Sequence, residues 1–113
     1  MKARELIING SLETFDGEPI TDQQNRHMTI GRALLVQLAA SRSEGEERFE
    51  VFRLGLDIGK AVKTQEERII LAESDWEILK RVVEANPAGY TDMIFVPVVK
   101  TVLAGIEFEV EKV

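Results

Sequence analysis

The chain contains no cysteine, and only one histidine, one tryptophan and one tyrosine among 113 residues. Without Cys there is no disulfide, no thiolate zinc site and no thiol nucleophile. A lone His27 cannot build a multi-histidine metal site within one chain. Long apolar runs are also missing. The longest nearly uncharged stretch, Met93 to Val99, is far short of the roughly 20 residues of a membrane helix. Leu6-Ile7-Ile8 is too short for the apolar heart of a signal peptide. Export and membrane insertion are therefore not expected, which makes the cytoplasm the expected location. A basic surplus is absent as well. Fourteen Lys and Arg stand against 20 Asp and Glu, for a net charge of −6, which repels a polyanion and argues against nucleic acid as partner.

What is present is ordinary globular usage, with 44% apolar and 30% charged residues. Such a chain can bury a core unaided, and residues 1–113 read as a single α+β domain of about four helices with short strands near both ends. Residues 4–8 suit a strand, and Asn9-Gly10 suits a two-residue hairpin turn, which predicts a returning strand. Its pairing would set Ile8 against Ser11 and Leu6 against Glu13, a poor match of faces. Residues 16–27 read as a loop opening on Asp16-Gly17-Glu18-Pro19. Thr29 can cap a helix running to about Ala40. From residue 46 to 62, Phe49, Phe52, Leu56 and Gly59 step by three or four, with Val51, Leu54, Ile58 and Val62 on an adjoining face, which favours a helix over a strand of that length.

After the short apolar run Arg68 to Leu71, Ser74-Asp75 can cap a helix carrying Trp76, Leu79, Val82 and Val83 and ending at Asn86, before Pro87. Thr91-Asp92 can start a last helix through Ala104 that Pro97 either kinks or delays to about Val96. Ile106, Phe108 and Val110 alternate with Glu107, Glu109 and Glu111, which predicts a strand with one apolar and one acidic face. No internal repeat is evident.

Familiar chemistries fail on spacing. Gly55-Leu56-Asp57-Ile58-Gly59-Lys60 has three residues between its glycines where a phosphate loop needs four, and Ala61 follows the lysine. Its likeness to the Gly-x-Asp-x-Gly stretch of sugar-kinase and actin-like ATPases stops there, because too little chain remains for that fold. It reads as helix, with its glycines at a packing contact. Asp16, Glu18 and Asp22 lack the glycine and glutamate spacing of a calcium loop, whose sixth and twelfth positions would be Thr21 and His27. Ser11, Ser41, Ser43 and Ser74 lie in no nucleophile-elbow context. Asn9-Gly10-Ser11 matches a glycosylation acceptor without a secretion signal to give it meaning. Trp76 and Tyr90 are large amphipathic aromatics of the kind that often anchor interfaces, although the helical spacing of Trp76 favours the core for it. The expectation is no catalytic residue, no cofactor and no metal.

The order of segments resembles a family of small uncharacterised proteins of tailed phages and prophages. The likeness runs from residue 6 to 104 through Phe15-Asp16-Gly17-Glu18-Pro19-Ile20, Thr29-Ile30-Gly31-Arg32-Ala33-Leu34-Leu35, the helix Glu46 to Lys60, and Ile70 to Lys80. Pro97 and the strand from Ile106 depart from the pattern. The resemblance implies no activity and no functional residues. Together with the acidic charge and the absence of catalytic signatures, it points to a non-catalytic phage protein, in the host cytoplasm or associated with the virion, that works by contact with another protein or with itself, for instance in virion or tail assembly. The alternative is a small regulator or inhibitor of a host protein, for instance a mimic of nucleic acid. Such a mimic would gather its carboxylates on one face, whereas Lys and Arg are interspersed among them.

Overall fold

A computed structural model describes residues 2–109. The elements are β1 (Lys2–Ile7), α1 (Ile30–Ala40), α2 (Glu47–Lys63), β2 (Arg68–Ala72), α3 (Glu73–Ala85), α4 (Asp92–Leu103) and β3 (Ile106–Glu109). This is the expected α+β class, with four helices and strands near both ends. The strands form one antiparallel sheet in the order β2-β1-β3. Leu6 lies opposite Ile69 on one side, and Arg4 lies between Leu71 and Glu107. Period-two alternation turns Leu6, Ile8 and Leu71 into the core. Ile7, Ile70 and Ile106 on the opposite face remain exposed.

That result corrects one expectation. Asn9-Gly10 makes no hairpin: neither residue has positive φ, and β1 pairs instead with strands far away in sequence. The chain runs straight on, and the Ile8 amide bonds Glu67 O at 2.9 Å. The carbonyls of Ile8 and Gly10 then accept the amides of Gly31 and Ile30, both at 2.9 Å. These are donors that a helix start leaves unpaired, so residues 8–10 serve the beginning of α1 rather than a second strand. The last strand keeps Ile106 and Glu107 on opposite faces as expected, but against the usual apolar-inward arrangement of a half-buried strand its acidic face turns to the helices. Glu107 meets Lys2 at 3.1 Å and Arg4 at 3.2 Å on the helix side, while Ile106 faces out. The Phe108 side chain, Val110 and Glu111 lie outside the described residues.

Residues 10–30 are more ordered than a loop and contain an eight-residue repeat that the sequence did not announce. Leu12 N–H bonds Met28 O, Met28 N–H bonds Ile20 O, and Ile20 N–H bonds Leu12 O, a closed ring of three bonds at 2.7–2.9 Å. Each of the first two arms turns the same way. Thr14 N–H bonds Glu18 O and Gly17 N–H bonds Thr14 O; eight residues later Asp22 N–H bonds Arg26 O and Asn25 N–H bonds Asp22 O. Thr14 Oγ1 accepts the Glu18 amide and Asp22 Oδ1 the Arg26 amide, side-chain turns of the kind these residues favour. The left-handed position is Gly17 (φ 85°) in one arm and Asn25 (φ 61°) in the other, residue types that tolerate it. The third arm is the neck of the segment, closed by Ile30 N–H to Gly10 O.

The helices follow the expected positions more closely. Thr29 caps α1, its Oγ1 accepting the Arg32 amide at 3.2 Å. α2 is helical from end to end, glycines included. α3 begins at Glu73, two residues beyond Leu71, with Ala72 at the cap position and no side-chain cap; Ser74-Asp75 therefore lies inside the first turn. It ends where expected, at Asn86, in the left-handed conformation at φ 52°. α4 starts at Asp92 with Pro97 inside it, so the delayed start does not occur. The buried cluster is shared by all four helices and by the inner face of the sheet. α1 packs on α2, α3 and α4, whereas α2 lies at the periphery against α1, α3 and β2. Among the described residues no helix is long and apolar enough to cross a membrane.

Candidate functional site

α2 carries more apolar surface than its packing uses. At about 100° per residue, its buried residues Val51, Leu54, Ile58 and Ala61 fall within an arc of about 80°. A surface helix needs one such stripe. Yet Phe49, Phe52 and Leu56 stand on a second stripe and are 72%, 68% and 60% exposed. Sequence spacing gives α2 two adjoining apolar faces, Phe49, Phe52, Leu56 and Gly59 on one and Val51, Leu54, Ile58 and Val62 on the other, and it is Val51, Leu54 and Ile58 of the second that the structure buries. Full burial of a Phe or Leu side chain contributes roughly 1.5–3 kcal/mol, so three left in water are a source of binding energy held in reserve.

The second stripe borders a groove of about 610 Å³ between α1 and α2. Leu35, Leu38 and Ala39 of α1 form one wall, and Val51, Phe52, Gly55 and Leu56 of α2 the other. Arg42, Glu44 and Arg48 stand at its rim with Ser41 and Ser43, whose hydroxyls lie 3.0 Å apart and satisfy one another. Gly55 was expected at a packing contact, and this is not what the structure shows. A Cβ added there would meet nothing within 4 Å, while one at Gly59 would touch only Leu35 Cδ2, at 3.8 Å. The Gly55 to Lys60 stretch lies in the middle of α2, far from the strand-to-helix turn a phosphate loop requires.

Among the described residues, titratable side chains outside this groove fall into small separate sets. Asp22 Oδ2 accepts from Arg26 at 3.0 Å and lies 3.5 Å from Arg32. The backbone amide of Arg26 is the main cause holding its carboxyl below the ordinary value of 3.8. Asp16 and Glu18 are exposed on the other arm, and among the described residues no three Asp, Glu, His or Cys side chains are placed to share a metal ion. His27 is exposed in a bridge with Thr21 and lines a cavity of about 280 Å³ with Arg32 and Glu66, its ring making no hydrogen bond or ion pair among the described residues.

The most elaborate polar cluster is structural. Arg4 stacks 4.0 Å above the Trp76 ring and forks onto Glu73 at 2.8 and 2.9 Å. It also donates to Gly105 O at 3.2 Å. Trp76 itself is buried and donates to Val102 O at 2.8 Å. The cluster ties β1, α3 and the start of β3 together, and Tyr90, half-buried, packs against the core with its phenol pushed up by burial.

Charge elsewhere is interleaved. Arg26, Arg53, Arg68 and Arg81 each pair with carboxylates, Arg53 with three of them from α2 and α3. Comparison with protein-family models, curated proteins and solved structures found no match for this chain.

Proposed function

We propose that the protein acts without catalysis, by docking another protein subunit on the α1–α2 face, and that the contact serves assembly of a phage virion or tail. The observation that carries this reading is the uncovered row of Phe49, Phe52 and Leu56 beside an apolar groove. Contiguous exposed apolar surface with a polar rim marks protein interfaces, and large aromatic side chains supply much of their energy. Assembly is the purpose that the resemblance to phage-borne proteins favours for such a contact.

The test is a Phe52→Glu variant introduced into the phage or prophage that carries the gene. Its circular dichroism should be unchanged, because Phe52 contributes little to the core. Particle yield should fall by tenfold or more if each buried phenyl is worth the roughly 1.5–3 kcal/mol expected of it. Normal yield of intact particles from a folded variant would sink the reading.

A further inference from the structure

Resting on that reading, we propose that the subunit docked on this face is a second copy of the same chain, joined by antiparallel pairing of the two α2 helices across a twofold axis. Phe49, Phe52, Leu56 and Gly59 are spaced as alternating a and d positions of a heptad. Antiparallel pairing of a with d sets Phe52 of each helix against Leu56 of the other and Phe49 over Gly59, a large side chain against an empty position. The exposed flank of this stripe holds Glu46, Arg53 and Lys60 at successive e positions.

Charge decides the direction. In an antiparallel pair, e positions face e positions, so Glu46 of one chain meets Lys60 of the other twice around the axis. Neither residue has an ion-pair partner among the described residues. Arg53 meets its own symmetry copy, but Glu50, Asp57 and Asp75 already surround each guanidinium at 2.6–3.2 Å. A parallel pair would instead set e against g and bring Arg53 toward Arg48, of like charge and without an ion-pair partner among the described residues. The macrodipoles of two antiparallel helices agree with the same choice. Self-complementary contact of one patch with itself is also the commonest form of small oligomer.

A stable specific interface buries on the order of 1,200–2,000 Å². A helix of 17 residues is only about 25 Å long, so the partner helix must also seat against Leu35 and Ala39 in the groove. The expected product is a dimer that dissociates on dilution.

Sedimentation velocity on the full chain, from micromolar to millimolar, tests this. Wild type should shift from monomer to dimer with concentration. Phe52→Glu and Leu56→Glu should stay monomeric, with the helical circular dichroism and melting temperature of the folded chain. Glu46→Lys and Lys60→Glu should each weaken the dimer by roughly three- to tenfold, as expected for two partly exposed ion pairs, and the double variant should recover to within about twofold. Singles that weaken without recovery in the double variant would overturn the antiparallel register, and a dimer indifferent to Phe52→Glu would overturn this interface. A wild-type monomer at every concentration would overturn self-association; if Phe52→Glu still lowered particle yield, the contact reading would stand with a different partner.

Discussion

At the scale of single residues, the chain hides its polar commitments where no motif advertises them. Gln37 is the one buried polar side chain among the described residues, fully enclosed on α1. Its Nε2 donates to Asn86 Oδ1 at 2.8 Å and its Oε1 accepts the Ala88 amide at 3.0 Å. Asn86 in turn clamps Tyr90 through the backbone at 2.8 and 3.0 Å. Gln37→Leu keeps the volume but leaves the Ala88 amide without a partner. It should cost about 1–3 kcal/mol in urea unfolding, whereas Gln24→Leu, at an exposed arm tip, should change little. Nothing in the local sequence distinguishes Gln37 from a surface glutamine, because its partners are about fifty residues away. Glu73 supplies a second prediction. Hydrogen bonding to Arg4 is the chief cause holding its carboxyl below the ordinary 4.5, so its native value lies below its unfolded value. The stability this confers is present above the unfolded value and is lost as pH falls through the native one. Fluorescence of Trp76, the only tryptophan, should report a melting temperature that drops as the pH falls below the ordinary carboxylate value, with a shallower drop in Glu73→Gln.

Among elements, helices were legible and strand partners were not. Apolar spacing located all four helices because a period of 3.6 is written within a few consecutive residues. Which of two apolar faces of α2 would be buried was not written there, since that depends on where α1 and β2 lie. The hairpin failed for a similar reason: Asn9-Gly10 is a good turn, but Ile8 and Gly10 carbonyls find better use at the start of α1. The paired arms of residues 12–28 escaped notice because the repeat uses Thr for Asp and Gly for Asn, equivalents in backbone chemistry rather than in letters. Glycines make the helical packing testable. A Cβ at Gly31 would come within 2.7 Å of Val62 Cγ2 and 3.2 Å of Ile8 O. Overpacking against a backbone oxygen costs about 1–3 kcal/mol, which outweighs the helix propensity gained, so Gly31→Ala should lower stability. Gly55 has open space, so Gly55→Ala should raise it by about 0.5–1 kcal/mol. The comparison belongs in a Phe52→Glu background, where thermal unfolding reports the single chain alone.

For the molecule as a whole, the strand at the start of the chain is the centre of the sheet, and both of its neighbours come much later. β1 pairs Ala3 with Ala72 on one side and with Phe108 on the other. Closing such long loops costs entropy before any contact offsets it, so the sheet assembles late relative to the helices. This is also why strand order could not be read from the sequence: alternation states that a segment is a strand and which faces it has, not whom it will join. The consequences of trimming the two ends should therefore differ. Removing residues 1–7 takes away the strand on which both others depend, together with buried Ala3 and Leu6 and the Arg4 stack on Trp76. The remainder should lose its cooperative transition and expose its core. Removing residues 106–113 leaves β1 paired with β2 and keeps the helical cluster, while Arg4 retains Glu73 but loses Glu107. That chain should still unfold in one step, at lower urea and with a smaller slope, since the slope follows the surface that unfolding exposes. Urea titrations of both truncations followed by Trp76 fluorescence and by far-ultraviolet circular dichroism decide the matter. A cooperative transition retained after loss of residues 1–7 would show that the helical cluster, rather than the central strand, is what the fold depends on.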